Sequence, residues 1–140
     1  MIDHLFVYGT LLPDAGPRSS TALLRRVRRD GPASVRGALH DMGSFPALSL
    51  SDDDDDVVHG ELLIVPSPAA WMRLDLYEGF DRANPERSLY RRELVLARRP
   101  GGEQVRAWAY IYNKKLADVP RIESGCWRTH LSQLAEIVVP

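Results

Sequence analysis

Leu89-Tyr90-Arg91-Arg92-Glu93-Leu94-Val95-Leu96-Ala97 and Val105-Arg106-Ala107-Trp108-Ala109-Tyr110-Ile111-Tyr112 are two runs of strand-forming residues with Pro100-Gly101-Gly102 between them. Glycines in such a short gap supply the backbone angles of a tight reversal, so the segment reads as a β-hairpin. Outward from the hairpin the same pattern recurs. Val57 to Val65 is the clearest strand, broken only by Gly60. Val35 to Met42 and Ala47 to Leu50 are further strand candidates, and Asp52 to Asp56 reads as the loop after them. Leu5-Phe6-Val7-Tyr8 is a short apolar run stopped by Gly9, which suits a buried strand entering a loop.

Helices are fewer. Ser67 can cap a helix and Pro68 fits its first turn, so one helix is expected from about Ala69 to Tyr77, stopped by Gly79. Another is expected through Leu23, Leu24 and Val27, capped by Ser19, Ser20 or Thr21 and ended near Gly31 and Pro32. A short one is expected from Cys126 to Leu134, before the apolar end Ile137-Val138-Val139. Strands follow one another mostly through turns, which argues against a doubly wound parallel sheet and for an α+β fold with a strongly curved or closed sheet.

The chain has 140 residues, a length suited to one domain, and residues 1–140 show no internal linker or repeat. Apolar residues at 44% against charged residues at 26% give a globular balance and not a disordered one. A formal net charge of −1 gives no reason to expect nucleic acid or an acidic membrane as partner. The Arg25, Arg26, Arg28 and Arg29 cluster and the aspartate run read as solvated faces. Five consecutive aspartates also lack the spaced oxygen ligands of a calcium loop. The start, Met1-Ile2-Asp3-His4, has no basic segment leading into an apolar run, and no stretch approaches the roughly 18 apolar residues of a membrane span. A cytoplasmic protein is expected.

Cys126 stands alone, so neither an internal disulfide nor a Cys-rich zinc site can form, and its neighbours Trp127 and Leu131 look like packing. His4, His40, His59 and His130 show no metal-ligand spacing, and no phosphate-binding glycine loop is present. The expectation is no metal and no cofactor.

Two segments can carry chemistry. In Trp71-Met72-Arg73-Leu74-Asp75-Leu76-Tyr77-Glu78-Gly79-Phe80, helical spacing puts Glu78 on the face of Trp71 and Leu74. A carboxylate among apolar groups loses water, which raises its pKa and suits a general base near neutral pH. A helix-end Glu turned to solvent is the plainer alternative, and Asp75 points roughly the same way, so periodicity leaves both carboxylates in play. In Val7-Tyr8-Gly9-Thr10-Leu11, a glycine directly after a buried strand exposes consecutive N–H groups. Such groups hold a carboxylate or a developing oxyanion; a simple tight turn is the plainer alternative. Trp108, Tyr110 and Tyr112 alternate along the hairpin, either as packing or as a pocket wall.

Taken in order, these blocks resemble the gamma-glutamylcyclotransferase-like family. Tyr8-Gly9-Thr10-Leu11 looks like its N-terminal signature. Gly37-Ala38-Leu39-His40-Asp41-Met42-Gly43-Ser44-Phe45-Pro46-Ala47-Leu48 resembles its strand ending in a Gly–aromatic–Pro loop, and Val58-His59-Gly60-Glu61-Leu62 its Gly-Glu strand. Leu74 to Phe80 is similar to the helix-end motif whose Glu is catalytic, and Tyr90-Arg91-Arg92 with Ala107 to Tyr112 to the closing hairpin. The match covers most of residues 5 to 113. It implies a small closed mixed β-barrel with flanking helices and a gamma-glutamyl substrate held near Tyr8, Gly9, Thr10 and Leu11. It implies Glu78 as the acid–base residue, with Phe45, Pro46 and Tyr90 as candidate walls. The implied reaction releases 5-oxoproline and a free amine without a cofactor. A non-catalytic small-molecule binder on the same fold is the alternative.

Overall fold

A computed structural model describes residues 2–13, 23–25 and 27–138. Among them are six strands: β1 (His4–Val7), β2 (Arg28–Asp41), β3 (Pro46–Leu50), β4 (Val57–Ile64), β5 (Tyr90–Arg98) and β6 (Gln104–Tyr112). Two helices, α1 (Pro68–Glu78) and α2 (Trp127–Val138), flank them, and a single 3-10 turn covers Pro85–Arg87.

The sheet runs β3-β2-β4-β1-β6-β5, and β5 pairs back to β2 through Ser34 opposite Arg98. Five strands therefore close into a barrel, with β3 outside it on the other edge of β2. Every pairing is antiparallel except β1 with β6, where Leu5 lies opposite Trp108. This is the α+β closed mixed barrel that the resemblance implies. The hairpin read from Pro100-Gly101-Gly102 is β5–β6, in register from Tyr90 opposite Tyr112 to Arg98 opposite Gln104.

β1 is wedged between β4 and β6, which explains its unbroken apolar run: Leu5, Phe6 and Val7 are all buried. Leu39, Leu48, Val58, Leu62, Leu63, Val65 and Leu74 complete the sealed core. Ala97, Ala107 and Ala109 are fully buried, and small side chains of this kind suit a narrow barrel interior.

One expectation is corrected. β2 begins at Arg28 and not at Val35, and Gly31 and Pro32 lie inside it instead of ending a helix. The register against β4 slips between Arg29 and Gly31, where Gly31 takes φ 100°. Gly and Pro punctuate a strand bulge as readily as a helix end. The expected caps Ser19, Ser20 and Thr21, like Gly16, Pro17 and Arg26, lie outside the described residues, and Val27 leads directly into β2.

α1 forms where expected. The Ser67 hydroxyl accepts from the Ala70 N–H at 3.2 Å, Pro68 starts the helix, and Gly79 turns left-handed at φ 69°. The Gly79 N–H donates to the Leu76 carbonyl at 3.2 Å and the Phe80 N–H to that of Asp75 at 2.9 Å. Arg92 of β5 ties this helix to the barrel. Its guanidinium lies 4.6 Å from the Trp71 ring centroid and 5.1 Å from that of Trp108, with Asp75 at 3.6 Å. α2 runs to Val138, past the expected end at Leu134. It is anchored by Trp127, 2% exposed, by His130 at 2.8 Å from Asp41, and by Arg128 on Glu61. Cys126, just before α2, is half-buried and bridges to His59 of β4.

Candidate active site

A cavity of about 610 Å³ opens where the end of β1, the Ser44–Pro46 loop, the C-terminal end of α1 and the start of β5 converge, with α2 along one side. Tyr8, Gly9, Thr10, Leu11, Phe45, Pro46, Glu78 and Tyr90 all line it. The fold thus brings to one place eight residues drawn from four separate stretches of sequence.

The β1 end is built by close contact. A Cβ on Gly9 would stand 2.5 Å from Pro46 Cγ, so only glycine lets the loop lie against the proline. The Leu12 N–H donates to the Gly9 carbonyl at 2.9 Å, closing the turn. Among the described residues, the N–H groups of Gly9, Thr10 and Leu11 donate to no backbone carbonyl. Adjacent N–H groups of this kind, in residues that line the cavity, suit an anion or an oxyanion.

Tyrosines also frame the cavity. Tyr8 donates its hydroxyl to the Tyr110 carbonyl, and Tyr90 donates to the Pro46 carbonyl at 3.3 Å. Burial, together with the neighbouring Tyr90 and Glu78, pushes the Tyr8 hydroxyl well above its ordinary pKa. Burial does the same to Tyr90, with Glu78 adding to it. These phenols stay neutral and act as hydrogen-bonding walls, not as acids of useful strength.

Glu78 and Asp75 are separated by their surroundings. Asp75 accepts from the Tyr110 hydroxyl at 2.6 Å and faces Arg92, and it does not line the cavity. Glu78 lines it, and its carboxyl has no hydrogen bond or ion pair among the described residues. Loss of water alone raises it from 4.5 to about 7. A carboxyl poised near neutrality in a cavity can both take and return a proton.

Other lining residues carried weaker signals. Tyr110 is a wall of the cavity as well as a packing residue, whereas Trp108 serves Arg92. Trp127 and Leu131 of α2 also line the cavity. Their spacing puts them on one helix face, but nothing local says what that face meets. No three His, Cys, Asp or Glu side chains gather as a metal site among the described residues. No helix among them is long and apolar enough to cross a membrane.

Fold and cavity together define a small mixed barrel with a largely apolar pocket at its rim, in which Glu78 is the one carboxyl among the described lining residues. The profile of the family described as gamma-glutamyl cyclotransferase, AIG2-like, matches residues 5–129, and the chain belongs to that family. Solved structures agree on the fold. YkqA from Bacillus subtilis superposes with TM-score 0.74 at 23% identity over 97% of this chain, which spans 43% of YkqA. An AIG2-like protein from Mus musculus gives TM-score 0.68 at 21% identity, covering 87% of this chain and 86% of that one. The ytfP protein from Escherichia coli gives TM-score 0.61 at 26% identity, covering 89% and 95%. Among curated proteins, none is significantly similar to this chain.

Proposed function

We propose that this protein is a cyclotransferase that converts a gamma-glutamyl amine or peptide to 5-oxoproline and a free amine, with Glu78 as the acid–base group. The observation that carries the reading is the Glu78 carboxyl, held near neutrality by loss of water in a largely apolar cavity that Gly9, Thr10 and Leu11 also line.

The substrate brings its own nucleophile. Its α-nitrogen, once deprotonated, attacks the γ-carbonyl carbon. The new carbon–nitrogen bond closes a five-membered ring as the amide carbon–nitrogen bond breaks, and the electron pair leaves with the amine. Glu78 takes protons from the attacking nitrogen and returns them to the departing one. The two protons that the ammonium gives up end on the departing nitrogen, which leaves as an ammonium ion. No redox partner enters the balance.

Holding both reacting groups in one folded substrate removes the entropic cost of encounter, an advantage equivalent to roughly 10⁵–10⁸ M in well-oriented systems. The cavity walls serve that end, with Pro46 packed against Gly9 and accepting from the Tyr90 hydroxyl. The Gly9 to Leu11 donors stabilise either the carbonyl oxygen as it gains charge or the α-carboxylate of the bound substrate.

The test is 5-oxoproline release from a panel of gamma-glutamyl amides, compared between the parent and Glu78→Gln. Release by the parent and its steep loss in a folded Glu78→Gln protein are expected. Binding of those compounds with no release by the parent would make the protein a small-molecule binder instead.

A further inference from the structure

We propose that the cavity selects gamma-glutamyl amides whose amine half is apolar and uncharged, and that Trp127 and Leu131 of α2 form the wall that receives it. The inference rests on the cyclotransferase reading and adds the substrate class to it.

A gamma-glutamyl head carries two charges, an α-ammonium and an α-carboxylate. The cavity has a matching polar set: the Glu78 carboxyl and the N–H groups of Gly9, Thr10 and Leu11. Among the described lining residues, Glu78 is the one carboxylate, and none is a lysine or arginine. Once the head has used these groups, the wall left for the amine half is mostly apolar, Phe45, Leu89, Trp127 and Leu131, with the uncharged Ser44 and Tyr77 beside them. There is room for that half, because about 610 Å³ lies within the roughly 300–1,000 Å³ range of pockets that enclose whole drug-sized ligands.

The α2 wall is firmly built. Trp127 is 2% exposed, and the His130 ring lies 5.6 Å from it, centroid to centroid. His130 is itself held on Asp41 at 2.8 Å. Leu131, one turn further, stands at the rim at 37% exposure. Arg128, the cation of this helix closest to them in sequence, is engaged with Glu61 and does not line the cavity.

A gamma-glutamyl peptide would bring a terminal carboxylate against this wall. Removing that charge from water with no cation among the described lining residues to meet it is costly. An alkyl or aryl amine gains instead from covering Trp127 and Leu131.

The experiment measures 5-oxoproline release from gamma-glutamylbenzylamide and gamma-glutamylglycine. We expect kcat/KM to favour the benzylamide by about tenfold or more. Leu131→Lys, at a rim position that tolerates a long side chain, should shrink that ratio about tenfold by harming the amide and helping the dipeptide. Leu131→Ala should raise KM for the benzylamide while leaving kcat nearly unchanged. Circular dichroism confirms that both variants fold. Better turnover of the dipeptide than of the benzylamide would overturn the substrate class and leave the cyclotransferase reading standing. A ratio unmoved in folded Leu131→Lys would remove Leu131 from the wall. Release from neither compound would sink the cyclotransferase reading, and this inference with it.

Discussion

Glu78 and Asp75 are neighbours on one helix face, yet they meet opposite surroundings. Asp75 has Tyr110 and Arg92 to satisfy it, whereas no hydrogen bond or ion pair reaches Glu78 among the described residues. Glu78→Gln should keep the fold and lower turnover by roughly 10²–10⁴-fold, the usual scale for losing a general base. The parent's kcat/KM should rise with pH through about 7, and the variant should lack that limb. Stability should move the other way. Below an unfolded-state value near 4.5 both states hold the proton and burial costs little; between there and about 7 only the folded state keeps it. Stability from this group therefore falls as pH rises across that window, by at most roughly 3 kcal/mol at about 1.4 kcal/mol per unit. Glu78→Gln should accordingly melt higher than the parent at pH 8, with the gain gone near pH 4. Asp75→Asn should do the reverse, keeping most of the activity while losing about 1–3 kcal/mol with its charged hydrogen bond. Thermal melts at the two pH values, beside 5-oxoproline assays, separate the two carboxylates; a dead but stable Asp75→Asn protein would reassign the chemistry. The ambiguity between them was legible in the sequence but its resolution was not, because the partners that occupy Asp75 come from the distant hairpin.

At the scale of elements, α1 was readable almost to the residue because its signals are local: Ser67 caps, Pro68 starts, Gly79 stops. Gly79→Ala would force a Cβ into the left-handed region, costing about 1–2 kcal/mol and a few degrees of Tm. Since Gly79 follows Glu78 directly, the same change should also lower kcat. A variant that melts and turns over like the parent would show that the helix end tolerates a different turn. β2 was misread at its start for the converse reason. Gly31 and Pro32 give the same local signal in a bulge as at a helix end, and only pairing with β4 decides between them. α2 was found but shortened, and its role escaped notice because Trp127 and Leu131 look like ordinary packing until the cavity is in place. Cys126 sits just outside that helix and does not line the cavity. Cys126→Ala should therefore leave activity within a few-fold, and loss of turnover in the folded variant would move the chemistry away from Glu78.

On the whole-molecule scale, closure of the barrel rests on the pairing of Ser34 with Arg98, two positions far apart in sequence whose residue types carry no mark of one another. Local patterns could point to a curved or closed sheet, but closure itself came from resemblance. What binds the closed ring to its covering helix is equally non-local. Glu61 of β4 is buried, and Arg29 of β2 reaches it with Nη2 at 2.9 and 3.1 Å from its two carboxyl oxygens. Arg128 of α2 meets the same carboxyl, so one side chain joins two barrel strands and the helix that walls the cavity. Glu61→Gln keeps the shape and removes the charge. Breaking a fully buried pair costs about 3–5 kcal/mol, but these guanidinium groups are partly exposed and can recover water, so about 1–3 kcal/mol is expected. Glu61 does not line the cavity, so the folded variant should turn over substrate at nearly the parent rate. If the junction makes barrel and helix one cooperative unit, urea should unfold parent and variant in single transitions, the variant at a lower midpoint with unchanged slope. A two-step curve in the parent would mean that the carboxylate holds α2 in place without joining it to the barrel's own cooperativity.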